Sequence, residues 1–288
     1  KAQTYKFTIP SIPKYSATVT KTSLGSIGVM ISGAVLYNPY EGDNKTPAMA
    51  NNFTITDANG ITASFVDKCA GHPIPMQGAY HYHGLSSCVT AKVDAAGKAS
   101  HVIGFALDGF PIYGAYGYAN TDGTGGITRI KSSYQLRNIT TRTTYANGTS
   151  VTAGPPVSTT YPLGYFREDY EYIAPTGQDY LDSHNGRFCV TPEYPNGIYC
   201  YFTTVDANHN SYYPYCVGPT YYGIRTGGKV TAINEITQTY SSSAGMTSQE
   251  ILNLELTIYP NPSIDLIAIQ SNEIVAQDLK IQLINSEG

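Results

Sequence analysis

The chain has 288 residues, enough for one large core and a small second module, and only 13% of them are charged. A net charge of −4, with no block of Lys and Arg, offers nothing to neutralise a phosphate backbone, so nucleic acid is excluded as a partner. No apolar run is long enough to cross a bilayer, so no transmembrane segment is expected.

Composition points to an all-β, mainly antiparallel fold: 26 Tyr, 28 Gly and 17 Pro, many Thr and Val, and few of the runs that helices prefer. The opening Lys1-Ala-Gln-Thr carries no leader-like pattern. A surface style poor in Lys and Glu, together with five cysteines, nevertheless suits an exported chain whose signal peptide has been removed. Residues 27–35, 62–66, 102–107, 198–204 and 229–233 read as strands. Turn signals at Asn59-Gly60, Gly97, Asp122-Gly123, Asn147-Gly148, Asn196-Gly197 and Gly227-Gly228 separate such runs. Residues 121–156, rich in Thr, Gly and Asn, read as a long surface excursion. Asn52, Asn138 and Asn147 each open an N-glycosylation sequon, a pattern common by chance.

This organises the chain into one large β-rich domain over 1–240, a linker over 241–255 and a small β-sandwich-like module over 256–288. Only 248–254 reads as helical. The Ser-rich stretch 241–245 is the core of the linker. Alternating strands then follow at 254–269, around Pro260-Asn261-Pro262, and at 279–284.

The chemistry concentrates at Tyr80-His81-Tyr82-His83. On an extended chain His81 and His83 share one face and the tyrosines take the other. His72 lies nine positions upstream, across a turn with Pro and Gly, so three of the six histidines fall within twelve residues. Imidazoles in this spacing are ready ligands for copper or zinc, whereas a hard cation would want carboxylates. The competing reading is a hydrogen-bonded structural strand. His184, in Asp182-Ser-His-Asn-Gly186, is the candidate distal ligand. His209 lies in a polar turn, and His101 opens a strand, where a structural role is expected.

Asp108 ends an apolar strand. It can orient an imidazole, move a proton as a candidate catalytic residue, or cap the turn, the commonest of these roles. Arg187 can clamp an anionic group or pair with Asp182 or Glu193. The tyrosine clusters, in a chain without Trp, suit sugar stacking if exposed, although most fall in strand-like segments and are expected in the core. Cys69 and Cys88 bracket the histidine loop and are expected to form a disulfide that restrains it. Cys189, Cys200 and Cys216 cannot all pair with one another, and both Cys189–Cys200 and Cys200–Cys216 remain open. The motifs of well-known hydrolases and nucleotide-binding proteins are missing.

Two resemblances extend this reading. Tyr80–His83, with Ile103-Gly-Phe-Ala-Leu-Asp-Gly-Phe-Pro-Ile-Tyr-Gly114, Leu181-Asp-Ser-His-Asn-Gly-Arg-Phe-Cys-Val-Thr-Pro-Glu-Tyr-Pro-Asn-Gly197 and Tyr213-Pro-Tyr-Cys-Val-Gly-Pro219, resembles the YHYH-domain family over about 60–223. That resemblance implies a domain rather than an activity. Ile258-Tyr-Pro-Asn-Pro-Ser-Ile-Asp-Leu-Ile-Ala-Ile269 resembles the start of a type IX secretion C-terminal sorting domain of type A, with Tyr259, Pro260, Asn261 and Pro262 as its motif. The family's closing strands do not follow. This second resemblance implies passage across the outer membrane, with the translocon and a sorting-domain-processing enzyme as partners, and a secreted or cell-surface location. Two functions are therefore expected in competition: a histidine metal site, and a non-enzymatic surface module that binds polysaccharide, another small ligand or protein through exposed tyrosines.

Overall fold

Short runs of β-branched and aromatic residues, each cut off by Gly, Pro or Asn, build many short strands rather than a few long ones. The computed structural model describes residues 3–42, 44, 46–47, 54–56, 62–64, 66–74, 77–91, 93–233, 256–259 and 268–271, with only the backbone described at 54–56, 62–64, 256–259 and 268–271. Its central feature is an eight-stranded sheet. In chain order the strands are β1 (Ser26–Met30), β2 (Val35–Tyr37), β3 (Gly71–Pro73), β4 (Tyr80–Tyr82), β5 (Val102–Ala106), β6 (Pro111–Tyr113), β7 (Gly186–Cys189) and β8 (Ile198–Phe202). The order across the sheet is β7-β8-β6-β5-β1-β2-β4-β3.

Neighbours are antiparallel except β2 with β4 and β6 with β8, which run parallel. A parallel pair needs a long crossover, and both crossovers here carry substantial structure. The expected all-β, mainly antiparallel class is what the chain adopts. Among the described residues helix is confined to Ser87–Thr90 and the 3-10 turn Arg167–Asp169. No helix of the described residues is long and apolar enough to cross a membrane.

The apolar run expected as a single strand at 27–35 is broken. Gly33, at φ +81°, makes a turn that returns Val35 alongside β1. The left-handed conformation is easy only for Gly, and that is why the break falls there. Burial follows period two. Ile112, Tyr199 and Tyr201 pack into one core with Ile27, Leu36, Tyr82 and Ile103, while the intervening Tyr113, Cys200 and Phe202 pack into a second core with Ile130 and Leu181. The sheet around β6 and β8 is therefore covered on both faces, and Tyr113, Tyr199 and Tyr201 are buried there as expected, whereas many other tyrosines, such as Tyr116, Tyr118 and Tyr222, are only partly buried.

The stretch 121–156 is not simply a surface excursion. Ile127–Arg129 pairs with Tyr116–Tyr118, and Tyr134–Leu136 pairs with Tyr170–Tyr172. Ile130 and Arg142 are fully or almost fully buried. The Arg142 guanidinium holds Asp169 with Nε to Oδ1 at 2.7 Å and Nη2 to Oδ2 at 2.8 Å. It also donates to the carbonyls of Pro155, Tyr161 and Pro162 and covers the Phe166 ring. Asp169 in turn accepts the N–H groups of Gly164 and Phe166. The stretch 137–156 is irregular and mostly exposed, as a surface excursion would be, but it is anchored by a buried charge that no apolar period advertises.

By internal contacts the chain divides into two units, Lys1–Lys229 and Val230–Gly288. In the second unit Leu256–Tyr259 pairs antiparallel with Ala268–Ser271, with Tyr259 opposite Ala268. The segments read as linker and helix, Pro260-Asn261-Pro262, the strand at 279–284, and the features at Asn52 and Asn59-Gly60 lie outside the described residues.

The Arg142–Asp169 pair yields a direct test. Arg142→Ala leaves a buried carboxylate without its cation and should destabilise the chain by about 3–5 kcal/mol. Urea unfolding measures this, and an unchanged midpoint would show that the pair is not what holds the segment.

Candidate metal centre

The centre is a hairpin, β3 to β4, clamped on two sides. Asp67 starts it: Oδ1 accepts the N–H groups of Cys69 and Gly71, and Oδ2 accepts the Tyr80 hydroxyl at 2.8 Å. Gly71 is required because a Cβ there would collide with the Tyr80 ring. The expected Cys69–Cys88 disulfide is present, with Cα atoms 5.2 Å apart. It closes a loop that contains all three histidines, so their convergence starts from a restricted chain.

Antiparallel pairing sets His72 directly opposite His81, and their ring centroids are 4.2 Å apart. On the other side of β4 the parallel register pairs Val35 with His81. The Tyr37 ring, two residues on and on the same face, stacks on His81 at 4.0 Å and meets His83 edge-on at 6.1 Å. His83 lies just past the end of β4, and its Nδ1 donates to the Asn38 carbonyl at 2.7 Å. His81 Nδ1 donates to the Ala79 carbonyl at 3.2 Å.

Those two carbonyls determine the chemistry. A carbonyl only accepts, so both Nδ1 atoms carry the proton, and in neutral imidazole both Nε2 atoms then carry bare lone pairs. The two Nε2 atoms lie 3.2 Å apart. Two lone pairs at that distance repel, and a hydrogen bond between them would need one ring to be charged. Burial works against that charge: it pushes His83 down to about 3 and His81 down to about 4 against an ordinary value of 6.5, with the neighbouring imidazoles adding to the shift. His72 is also lowered by burial.

A divalent ion held by the three rings would relieve that repulsion. With metal–nitrogen distances of about 2.0–2.1 Å, a 3.2 Å separation subtends roughly 100° at the metal, near the tetrahedral angle. Ligand atoms from His72, His81 and His83 all lie within 4.8 Å of one another. His81 and His83 are buried, whereas His72, on the edge strand β3, is only partly so. The ring on the edge strand is thus the one nearest solvent.

The other candidates lie elsewhere. His184 is not brought to the group: Asp182 Oδ1 accepts its backbone N–H, and its Nδ1 meets Thr220 Oγ1 at 2.6 Å. Asp108 is fully buried and accepts the Tyr201 hydroxyl at 2.6 Å and the N–H groups of Gly223 and Phe110. It caps its turn and touches no imidazole, and burial raises its pKa. Arg187 pairs with neither Asp182 nor Glu193; its terminal nitrogens donate to the carbonyls of Gln178 and Tyr118. Glu193 binds His101 at 2.6 Å and the Tyr113 hydroxyl, which gives His101 its structural role. His209 meets the Tyr116 hydroxyl beside a cavity of about 860 Å³ that Asp94 and Lys98 also line. Neither open disulfide alternative is formed, since Cys189, Cys200 and Cys216 are all free thiols.

Sequence reasoning missed Tyr37, the Asn38 carbonyl and the cavity. Tyr37 and Asn38 reach the site only through the parallel β2·β4 pairing, which local sequence does not signal.

Because the folded rings resist protonation, unfolded chains bind more protons between the ordinary value of 6.5 and about 4. Stability from this source is complete above about 6.5 and is lost as the pH falls towards the folded values. Nitrogen-15 NMR of the metal-free protein should show His81 and His83 as neutral Nδ1–H tautomers down to a pH of about 5. Titration of both rings near 6.5 would contradict the geometry.

No curated protein and no solved structure matches the chain. A family model described as YHYH protein matches residues 6–217, a span that contains all eight strands of the large sheet, the disulfide and the three clustered imidazoles. With the match covering well over half of the chain, the protein belongs to the YHYH protein family.

Proposed function

We propose that the large domain holds one copper or zinc ion on His81, His83 and His72, in a protein exported by a type IX secretion system. The observation that carries the metal reading is the pair of Nε2 atoms 3.2 Å apart, in rings whose Nδ1 atoms each face a backbone carbonyl. Three imidazoles leave a position for water or an oxygen ligand on the ion, the donor set of a Lewis-acid centre. The residues supply neutral rings, fixed tautomers and a largely dry setting. Asp108 has no part in it, because its carboxylate is committed to Tyr201 and Gly223.

The surface-module alternative needs a strip of exposed tyrosines. Tyr113, Tyr199, Tyr201, Tyr213, Tyr215 and Tyr221 are all buried, and that weakens it.

Export rests on the Tyr259-Pro260-Asn261-Pro262 motif, on the strand pair that begins at Leu256, and on a disulfide that suits an oxidising compartment. The partners on this reading are the translocon and a processing enzyme, and the destination is the medium or the outer-membrane surface.

Protein purified without chelators or nickel resin should contain about one copper or zinc per chain. The double variant His81→Ala/His83→Ala should lose the metal and keep its circular dichroism. A parent without metal, or a variant that binds as well as the parent, would make the imidazoles structural. In a type IX secreting host, a chain truncated before Leu256 should stay in the periplasm, and undiminished secretion would dismiss the export reading.

A further inference from the structure

Arg187 is a buried cation without a carboxylate. It lies on β7, 6% exposed, and its guanidinium covers the Phe202 ring at 5.3 Å. Among the described residues no ion pair reaches it. Its terminal nitrogens bond backbone carbonyls, and its buried Nε has no hydrogen-bond partner. A buried guanidinium served only by neutral dipoles is an expensive arrangement unless an anion lies close by.

The register supplies one. Arg187 stands directly opposite Cys200 on β8, and Cys189 follows two residues later on β7, so the three side chains share one face of the sheet. The sulfurs of Cys189 and Cys200 are 3.5 Å apart, in contact and unbonded, and both residues are 0% exposed. The Cys200 thiol and then the Arg187 charge hold the Cys189 thiol below its ordinary value. Burial pushes Cys200 up, which keeps it as the protonated partner.

We propose that Cys189 and Cys200 form a redox-active dithiol, in which Arg187 stabilises a Cys189 thiolate and a low-molecular-weight disulfide converts the pair into a second intrachain disulfide. The Cys189 thiolate attacks one sulfur of the external disulfide, forming a mixed disulfide and expelling one thiolate. Cys200 then loses its proton and attacks Cys189, expelling the second thiolate. Two electrons pass from the cysteines to the external disulfide. The two thiol protons end on the two released thiols. Access comes from position, because β7 is the outermost strand of the sheet and its Phe188 is 61% exposed. Fraying at an edge strand requires only local opening. Cys216, buried in the other core, serves as an internal control.

The test uses the whole chain with its Cys69–Cys88 bridge intact. It is incubated with oxidised glutathione at mildly alkaline pH, its remaining thiols are blocked after denaturation, and it is mapped without reduction. The expected product is a Cys189–Cys200 linked peptide, with Cys216 blocked as a free thiol. Cys200→Ser should stop at a glutathione adduct on Cys189. Arg187→Met should slow the reaction about threefold, because a thiol raised by about one pKa unit is a thiolate less often but a stronger nucleophile when it is one, and Arg187→Lys should retain most of the rate. Both thiols still blocked after prolonged exposure, or either one joined to Cys216, would overturn the proposal. An unchanged rate in Arg187→Met would remove Arg187 from it. If the variants fail to fold, the map of the parent chain decides alone.

Discussion

The hydrogen bond from His83 Nδ1 to the Asn38 carbonyl is the constraint on which the centre depends. It joins the residue after β4 to the residue after β2, so it exists only if those strands run parallel and in register. It also decides which nitrogen of His83 carries the proton. With the matching bond from His81 to Ala79, it turns two neighbouring imidazoles into two opposed lone pairs. A proton shared between the two rings would relieve their repulsion, and burial makes the proton costly. Backbone carbonyls thus do for these rings what carboxylates do in many metal sites: they fix the tautomer and aim the ligand atom.

The same economy recurs through the large domain. Short strands bury little surface apiece, and polar anchors do much of the positioning. Asp67 sets the start of the hairpin, Asp108 ties a turn of the sheet to Tyr201 and Gly223, and Asp169 with Arg142 orders a stretch that looks like loop. Each anchor accepts several hydrogen bonds, and for the buried Asp108 and Asp169 these keep a buried carboxylate from destabilising the fold. Arg187 departs from the pattern in having no carboxylate partner among the described residues. It departs beside two thiols in contact, where a thiolate can take the missing role.

Much of the centre is legible in the sequence. Alternation along Tyr80–His83 places two imidazoles together, and the Cys69–Cys88 pair, 19 residues apart, brackets them. The third member, His72, was legible as near but not as opposite. Its placement across from His81 comes from the hairpin register, which Asp67 and the disulfide help to set. His184 was attractive for its polar turn, yet that turn is stabilised by Asp182 and the ring is taken up by Thr220. A side chain's attachment to a local turn says little about which distant group it will meet.

By itself the sequence determined what local physics can carry: the all-β class, several of the turns between strands, the shared face of His81 and His83, and the burial of strand tyrosines such as Tyr199 and Tyr201. These follow from period-two alternation and from Gly and Pro backbone limits, both properties of a few consecutive residues. Only the tertiary structure decided that β2 runs parallel to β4, that Tyr37 covers His81, that Arg142 meets Asp169, and that Arg187 faces a pair of thiols. Each of these joins residues far apart in the chain, and their pairing is set by which registers let every buried polar group find its partner at once.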